Sequence, residues 1–458
     1  GEHSISALAA YEYNDYTYNT NISTGKGIVP GVTVLNGAAT PIAASGNITQ
    51  YAFRSYLFNA AYSYSNRYSL QGSVRSDGSS RFSKKYGTFY SIGGAWNVHN
   101  ESFFNVAAIN YLRVRANYGG TGNTPSDYYG YYDLFGLSTQ YNGSPSAFPT
   151  ALGNKTLSWE KTYSTDAGVE IGLFDRLNLT VDLYRRNTSD LVYAVALPSV
   201  SGYVQQLQNI GAVVNKGIEA TLSYAIIKSS KVQWNLDVTI GSNKNHVTEL
   251  YKGQSQLNGN QVYKEGYDIN TWYLPVWAGV NPDNGNPQWE VADASGNKTL
   301  TGTYSAATLQ AGAAATPKYF GGINTNVSWA GLSLRVNTAF RKGSMIYYSD
   351  RETFDADGAY PTYNSMVLKS GWSYYGGNNN SNKPSTRYLE DGSFFRIRNI
   401  TLGYSLPAYV VQKLKSKNIQ ANISFDNLLT LTKFSGLDPE TIAYPQPKRI
   451  MFGLSIGF

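Results

Sequence analysis

The chain of 458 residues is 42% hydrophobic but only 15% charged, against about a quarter charged in an ordinary globular chain, and it contains 39 tyrosines and 45 glycines. The absence of cysteine excludes a disulfide scaffold, a zinc–thiolate site and a thiol nucleophile, and the presence of only three histidines argues against a His-rich metal site. The net charge of +7 comes from scattered Lys and Arg rather than from a dense basic stripe, so we expect no nucleic-acid partner.

The dominant pattern along the chain is an alternation of apolar and polar residues. It is strict over 177–183, 232–240 and 419–426, and a period of two predicts strands with one apolar and one polar face. The sequence has no apolar run of about 18 residues and no long amphipathic helix pattern. We therefore predict an all-β chain. Its fourteen strands are predicted near residues 3–13, 50–64, 68–76, 88–98, 110–118, 160–173, 177–186, 208–226, 232–243, 318–329, 332–342, 394–406, 418–427 and 450–458.

The connections between these strands alternate in length. Short turns are predicted at 65–67, 174–176, 227–230 and 330–331, and a short helix within 407–417. Long polar, aromatic loops are predicted at 14–49, 119–158, 187–206, 244–317, 343–392 and 427–449. Short periplasmic turns and long outer loops are typical of transmembrane β-barrels. We therefore predict an antiparallel barrel in a bacterial outer membrane, with a soluble β-sandwich as the alternative.

The polar faces of the predicted strands carry charges. Arg113, Arg115, Asp237 and Arg335 occupy polar positions, where we expect them to line a water-filled lumen. The apolar faces carry Trp and Tyr near segment ends, as in the aromatic girdles at the two interfaces of a membrane barrel. The even-numbered apolar positions of 232–240 are accordingly expected to contact lipid.

The two ends of the chain also carry information. The last strand alternates through Ile450, Phe452, Leu454 and Ile456 and ends on Phe458. An amphipathic final strand with an aromatic terminus resembles the insertion signal of bacterial outer-membrane barrels. The first residues have no basic stretch and no long apolar stretch, so we expect a mature or processed amino terminus.

Ten short stretches form a larger pattern from about residue 75 to the end. They are Arg75–Phe82, Tyr86–Gly87, Gly94–Trp96, Leu112–Gly119, Thr121–Asn123, Leu157–Thr162, Asn209–Gly211, Asn215–Glu219, Tyr388–Tyr404 and Asp438–Glu440. In their order and spacing they resemble the C-terminal part of SusC-like TonB-dependent transporters, the outer-membrane nutrient importers of Bacteroidetes. Each stretch alone is a weak marker, and together they are specific.

The resemblance implies import without catalysis. A solute, an oligosaccharide in the first place and an oligopeptide in the second, would be captured between the extracellular loops and a SusD-like surface lipoprotein. TonB would then open the lumen by pulling on a plug domain. Arg113, Arg115, Asp237 and Arg335 would touch the plug or the solute, with plug contact the main role.

The sequence also departs from the family. The plug, the TonB-contacting segment and the amino-terminal extension have no counterpart in these residues. Plugged outer-membrane transporters have 22 strands, against fourteen predicted here, so we expect residues 1–458 to be a single domain, the C-terminal portion of a barrel. Open edges in lipid leave unpaired backbone groups, which are costly. We therefore expect a second polypeptide to supply the plug, the TonB contact and eight strands.

Aromatic residues are dense in three of the long loops. Tyr and Trp offer flat apolar faces with a polar tip, suited to stacking on sugar rings or gripping peptides. For each of them, packing within the loop or against a partner protein is the alternative. The candidate solute-binding residues are Tyr128, Tyr129, Tyr131, Trp272, Tyr273, Trp277, Trp372 and Tyr374.

No catalytic constellation accompanies these features. The stretch 453–457 matches the G-x-S-x-G nucleophile pattern but lacks the strand-to-helix elbow that the pattern requires. The stretch 283–286 favours an Asn-Gly turn over a calcium loop. We therefore expect no enzymatic activity, no metal and no cofactor. The competing hypotheses are an outer-membrane enzyme barrel and a soluble carbohydrate-binding β-sandwich protein.

Overall fold

Strands make up most of the chain, as the period-two pattern predicts. The computed structural model describes residues 2–284, 286–354, 382–442 and 444–458. In chain order, the strands of these residues are β1 (His3–Ile28), β2 (Ala38–Tyr64), β3 (Tyr68–Ser79), β4 (Tyr86–Asn97), β5 (Ile109–Asn123), β6 (Leu134–Tyr141), β7 (Ser144–Ala151), β8 (Glu160–Leu173), β9 (Leu177–Ser189), β10 (Val192–Ala196), β11 (Gln205–Asn209), β12 (Ala212–Lys228), β13 (Val232–Glu249), β14 (Gln256–Asn258), β15 (Gln261–Tyr263), β16 (Thr271–Pro275), β17 (Trp277–Val280), β18 (Pro287–Ala292), β19 (Lys298–Thr301), β20 (Leu309–Ala314), β21 (Tyr319–Trp329), β22 (Leu332–Lys342), β23 (Met345–Tyr347), β24 (Leu389–Asp391), β25 (Phe394–Ser405), β26 (Asn418–Thr432) and β27 (Arg449–Gly457).

The helices of the described residues are short. Two α-helices occur, α1 (Asp350–Phe354) and α2 (Ala408–Lys413), and α2 confirms the short helix predicted within 407–417. None of the described helices is long and apolar enough to cross a membrane. Single 3-10 turns lie at Leu35–Gly37, Val98–Asn100, Ser199–Ser201, Tyr251–Gly253, Tyr304–Ala306 and Thr386–Tyr388.

Fourteen strands form one antiparallel sheet, and each of them overlaps one of the fourteen predicted segments. Their order is β1-β2-β3-β4-β5-β8-β9-β12-β13-β21-β22-β25-β26-β27, so each long strand neighbours the next long strand in the chain. The remaining strands form small sheets within the long connections: β6-β7, β10-β11, β14-β15-β16-β20, β17-β18-β19 and β23-β24. The prediction of an all-β chain with fourteen sheet strands is confirmed.

The predicted loop at 14–49 is wrong. β1 and β2 continue through this region as one hairpin, paired from His3 and Tyr64 to Ile28 and Ala38, and only residues 29–37 connect them. Cross-strand aromatic pairs such as Tyr16 and Tyr51, with ring centroids 5.1 Å apart, accompany the ladder. The extension carries no strict apolar alternation, because the sequence there is rich in Tyr, Thr and Asn, so its pairing was not visible as a hydrophobic period.

The short predicted turns adopt the geometry that tight hairpins need. Ala330 and Gly331 both have positive φ, 48° and 85°, and they join Trp329 directly to Leu332. Two consecutive positive φ angles define the type I′ turn, whose twist matches that of paired strands. The turns at 65–67 and 174–176 also begin with two positive-φ residues. The backbone dihedral angles at these three places are therefore those of short hairpin turns, as the sequence predicts.

The chain divides into two compact units. Unit 1 comprises residues 1–95, 117–165 and 187–212, and unit 2 comprises residues 96–116, 166–186 and 213–458. Each has buried apolar clusters that draw heavily on the connecting segments. In unit 1 the cluster is Phe82, Phe89, Leu157 and Trp159, and in unit 2 two clusters form around Leu274, Tyr347 and Tyr388 and around Ile346, Tyr348 and Phe434.

Gly217, within the stretch Asn215–Glu219, has no space for a side chain. A Cβ at Gly217 would lie 2.3 Å from the carbonyl oxygen of Ser242 and 2.6 Å from the Tyr184 hydroxyl. Gly217→Ala is expected to destabilise the protein by about 1–3 kcal/mol, measured by urea unfolding in detergent, because a backbone carbonyl must shift. Gly94→Ala is the control, since its nearest neighbour would be 3.6 Å away. Equal stability of the two variants would contradict this account.

Candidate functional site

The sheet strands of unit 2 have one continuous apolar face. Strand register places Trp234 opposite Val327, Leu334 opposite Leu402 and Ile423 opposite Phe452. These side chains are exposed to an extent unusual for apolar residues: Phe452 is 81% and Leu454 68% accessible. A contiguous exposed apolar face of this kind marks a membrane or protein contact, and alternation with a polar face is the pattern of a membrane strand.

The opposite face of the same strands is polar. Asp237 lies across from Asn324 and accepts a 2.6 Å hydrogen bond from Ser223. Arg335 lies across from Asn326 on one side and Thr401 on the other. A groove of about 600 Å³ on this face is lined by Asn326, Ser333, Arg335, Thr401, Gln420, Asn422 and Ser424 among others. Asp237 and Arg335 therefore lie on the polar face of the sheet, surrounded by carboxamides and hydroxyls.

Arg113 and Arg115 lie together on β5, within unit 2. Arg115 forms ion pairs of 3.1 Å with Glu170 and 2.6 Å with Asp182, and Arg113 approaches Glu170 at 3.9 Å. The carboxylates come from β8 and β9, so the cluster joins three successive strands. Cross-strand ion pairing already compensates Arg115, which makes it a sheet-stabilising residue as well as a candidate contact for the plug or solute.

The candidate tyrosines of unit 1 are parts of a packed loop. The Arg81 guanidinium contacts the rings of both Tyr51 and Tyr128, with its Cζ 4.5 Å and 4.1 Å from their centroids. The hydroxyl of Tyr129 accepts a 2.9 Å hydrogen bond from the backbone N–H of Gln50. Two cation–π contacts and a backbone hydrogen bond fix these rings in place. These rings can present an edge to a ligand, but much of their surface contacts other residues of the same protein.

Tyr131, the third candidate of this loop, is half-buried. It packs against the cluster of Phe82, Phe89, Leu157 and Trp159. Burial, and then its hydrogen bond with Tyr132, raises the pKa of Tyr131 to about 12. The hydroxyl therefore stays protonated at every physiological pH and acts as a neutral hydrogen-bonding group.

The candidate aromatics of unit 2 are also engaged. The Trp272 indole N–H donates to the carbonyl of Met345 at 3.0 Å, and its ring lies 5.7 Å from that of Tyr347. Trp277 stacks edge-on against the fully buried Trp289. Tyr273, between them in sequence, is half-buried on β16. Trp372 and Tyr374 lie outside the described residues.

Other aromatic residues are more exposed than those predicted residues that the structure describes. Phe135 is 61%, Tyr141 81% and Tyr444 79% accessible. Tyr141 stands at the tip of the β6–β7 hairpin, whose turn is Asn142-Gly143 with φ angles of 50° and 75°. An Asn-Gly pair between short extended segments is a strong hairpin signal, and it could have located this exposed tip from the sequence.

Two pairs of the sequence markers meet in space. In unit 1, the side chain of Asn209 accepts from the N–H of Ser158 at 2.8 Å and donates to its carbonyl at 2.7 Å. In unit 2, the buried Arg396 pairs with Asp438 at 2.7 Å and with Glu440 at 2.9 Å. In each of these two pairs, one marker stretch contacts the other, and the contact attaches a long connection to the end of a sheet strand.

The nucleophile-like stretch 453–457 lies inside strand β27. Its serine is on a regular ladder, opposite Gln420, and not on a strand-to-helix turn. No group of three or more potential metal-binding side chains occurs among the described residues.

Comparison with known proteins gives consistent matches. The family "TonB dependent receptor-like, beta-barrel" matches residues 1–428. TonB-dependent receptor P3 of Formosa agariphila is 28% identical over 96% of this chain and 47% of its own length. TonB-dependent receptor SusC of Bacteroides thetaiotaomicron is 29% identical over 90% of this chain and 44% of its own. The chain thus spans about half the length of the curated relatives it matches.

Solved structures agree with these relatives. A chain of the RagAB peptide importer in its closed-closed state superposes over 100% of this chain and 54% of its own, with a TM-score of 0.88 and 27% identity. The open-open state of the same importer gives a TM-score of 0.87 and 26% identity. Since the family match covers nearly the whole chain, this chain belongs to the TonB-dependent receptor-like β-barrel family of the bacterial outer membrane and is SusC-like within it.

Proposed function

We propose that this chain forms most of the wall of a transporter that imports an oligomeric nutrient across the outer membrane, driven by TonB and assisted by a SusD-like surface lipoprotein. The observation that carries the proposal is the likeness of the whole chain to a peptide importer at a TM-score of 0.88. The relation to SusC supports the same role. Neither a soluble sandwich nor an enzyme barrel accounts for these relatives.

The geometry of unit 2 suits a transport wall. The apolar face would contact lipid, and the polar face of Asn, Ser, Thr and Gln side chains would line the passage. Carboxamides and hydroxyls both donate and accept hydrogen bonds, so they can exchange partners with a passing solute. Arg113, Arg115, Asp237 and Arg335 would act on this face by contact with the plug or the solute, and no step requires bond making or breaking.

The solute class follows from the aromatic residues of the long connections. Flat exposed rings such as Phe135, Tyr141 and Tyr444 suit the faces of sugar rings, so an oligosaccharide is the first candidate. An oligopeptide is the second candidate, because the RagAB structures are of a peptide importer. Both classes need a wide passage and repeated weak contacts along an extended chain.

The proposal is tested by uptake in the native cell. Deletion of the gene segment that encodes this chain is expected to abolish uptake of fluorescent oligosaccharides or oligopeptides from one class. Dissipating the proton gradient in wild-type cells should give the same loss, because TonB draws its energy from that gradient. Undiminished uptake of every oligomer tried, in the deletion strain, would overturn the proposal.

The exposed aromatics give a sharper prediction about capture. Replacing Phe135 and Tyr141 with Ala is expected to lower uptake at limiting solute roughly two- to tenfold for each contacting ring, since one aromatic contact contributes about 0.5–1.5 kcal/mol. Replacing Trp272, Tyr273 and Trp277 together should also weaken uptake, but through loss of loop packing. Hydrogen exchange distinguishes the two: the first variant keeps its loop protection and the second loses it. Unchanged uptake in the first variant would assign those rings to partner contact.

We also propose that residues 1–458 form a single structural domain that is completed from outside this sequence. β1 and β27 are the two edges of the fourteen-stranded sheet, and among the described strands each has a sheet neighbour on one side only. Unpaired backbone groups in lipid are costly, so both edges should pair with further strands. A second polypeptide carrying eight strands, the plug and the TonB-contacting segment would complete the barrel. TonB would bind that second polypeptide and would act on this chain through the plug.

Purification from native membranes tests this completion. The chain should remain with its complementary polypeptide in mild detergent and separate from it only on denaturation. A continuous chain of about twice the length would place the missing strands in the same polypeptide. A stable, closed barrel with a mass of 50.2 kDa and no companion would contradict completion altogether.

A further inference from the structure

At their short-turn end, strands β12, β13, β21, β22, β25, β26 and β27 carry basic side chains and no Asp or Glu, whereas Glu101 and Asp175 lie beside other short turns of unit 2. Segments 220–236, 325–349, 399–425 and 441–458 contain no Asp or Glu. The connection between β25 and β26 carries Lys413, Lys415 and Lys417, all exposed. These lysines form no ion pair with the described residues, so three positive charges lie within five consecutive residues at the short-turn end of the strands.

The backbone holds these lysines in a defined turn. Helix α2 ends with the N–H of Ser416 bonded to the carbonyl of Val411 at 3.1 Å and the N–H of Lys415 bonded to that of Gln412 at 3.0 Å. These are the two hydrogen bonds of a Schellman motif, whose left-handed position normally holds glycine. Lys415 occupies that position with a φ of 52°. A charged side chain therefore stands where the backbone itself favours glycine.

An apolar groove of about 630 Å³ lies on the apolar face beside this turn. Its lining includes Trp329, Leu334, Leu402, Tyr404, Ala421 and Phe452. The groove exists because Ala421 places a single methyl group between Tyr404 on β25 and Leu454 on β27. Its volume lies within the roughly 300–1,000 Å³ of ligand clefts.

The lysine turn adjoins the strands that form the groove. The N–H of Ser405 bonds to Gly331 and that of Leu406 to Ile419, which joins the lysine turn to the strands of the groove. Lys417 precedes Ala421 by four residues, about 13 Å along a strand. Tyr409 and Leu414 of the same turn are 68% and 56% exposed, and apolar side chains beside lysines are typical of segments at a membrane interface.

We propose that this surface binds an anionic phospholipid of the leaflet that faces the short turns. An acyl chain lies in the groove, and the headgroup phosphate is held by Lys413, Lys415 and Lys417. Charge complementarity selects the headgroup, since clustered lysines at a membrane surface attract anionic lipids. The inference rests on the outer-membrane placement under Proposed function and is independent of which solute is carried.

Native mass spectrometry of the full-length complex in detergent tests the site, with dioleoyl phosphatidylglycerol and dioleoyl phosphatidylcholine as probes. The wild-type protein should retain phosphatidylglycerol preferentially. The variant Lys413→Gln, Lys415→Gly, Lys417→Gln should weaken that binding at least about tenfold. Because glycine suits the backbone at 415, this variant keeps the turn. Ala421→Phe, which fills the groove, should weaken the binding of both lipids.

A matched control removes three charges elsewhere. Arg176, Lys228 and Lys231 lie in or beside other short turns of unit 2, and their replacement by Gln should leave phosphatidylglycerol binding within about twofold, since they lie outside the groove. Equal binding of the two lipids by the wild type, or equal losses in the two charge variants, would overturn the site. Uptake measured on the same variants separates this outcome from the proposed function, which predicts transport for all of them.

Discussion

Arg396→Ala is expected to release the connection 433–448 from the end of β25. Arg396 is 1% exposed and pairs with Asp438 and Glu440, so its removal leaves the buried Asp438 carboxylate without its cation, while Glu440 keeps Arg398. Breaking a buried ion pair from one side costs about 3–5 kcal/mol. The measurement is hydrogen exchange at the N–H groups of Glu440 and Gln446, both of which donate to the Asp438 carboxylate.

Arg398→Ala is the matched control. Arg398 pairs with the same Glu440 at 2.7 Å, but its side chain is 46% exposed. Exposed pairs contribute about 0–1 kcal/mol, so protection should change little. If the Arg396 and Arg398 variants lose the same protection, the buried pairing is not what holds this connection in place.

The same contact predicts a pH dependence. Burial alone would raise the pKa of Asp438, but hydrogen bonds from Arg396 and from the N–H groups of Glu440 and Gln446 outweigh it and lower the pKa. A carboxyl with a lowered folded-state pKa stabilises the fold above its unfolded value of about 3.9, and the contribution disappears as pH falls through the folded value. Protection of 433–448 should therefore be constant near neutral pH and decline below about pH 4. The decline should be absent in Asp438→Asn.

Leu236→Arg is expected to destabilise the folded protein in lipid by about 2–4 kcal/mol if the residue lies near the bilayer midplane, and by less near the interface. Leu236 lies on the apolar face, opposite Thr325 and between Trp234 and Val238 on the same strand. A guanidinium there would have to leave water for hydrocarbon. The measurement is the free energy of unfolding by urea in phospholipid vesicles.

Asn235→Arg provides the control on the other face of the same strand. Asn235 lies opposite Asn326 on the polar side, where a charge can remain hydrated, so a small effect is expected. Spin labels at 234, 236 and 238 test the placement directly and should respond to lipid-soluble quenchers. Labels that respond only to water-soluble quenchers would show that this face does not contact lipid.

The positions of the sheet strands could be predicted from the sequence because they depend on local order. Alternation along Val232–Ile240 needs only the two faces of one strand, and the turn at Ala330-Gly331 needs only two residues that tolerate positive φ. Each signal is complete within about ten residues. The face on which Asp237 and Arg335 lie follows from the same parity, since shifting a strand by one residue would move every side chain to the other face.

The tertiary structure alone decided how the aromatic residues are used. Trp272 and Trp277 looked like solute contacts from their loop position, yet Trp272 donates to Met345 and Trp277 stacks on Trp289. Tyr141, which carries no such contacts, is left exposed by its place at a hairpin tip. Composition shows that a loop is rich in aromatic residues. Which of these rings become buried depends on how the loop folds back against the rest of the chain.

The long-range contacts were equally beyond the sequence. Arg396 and Asp438 are 42 residues apart, and Ser158 and Asn209 are 51 apart. Both pairs stood out as family markers, but their partnership depends on where a long connection returns to its strand, and no periodicity encodes that. The amino-acid sequence by itself determined a two-faced fourteen-stranded sheet, because the hydrophobic effect acts on each strand locally. Only folding in three dimensions decided which loops are anchored, because burying an arginine requires carboxylates brought from a distant part of the chain.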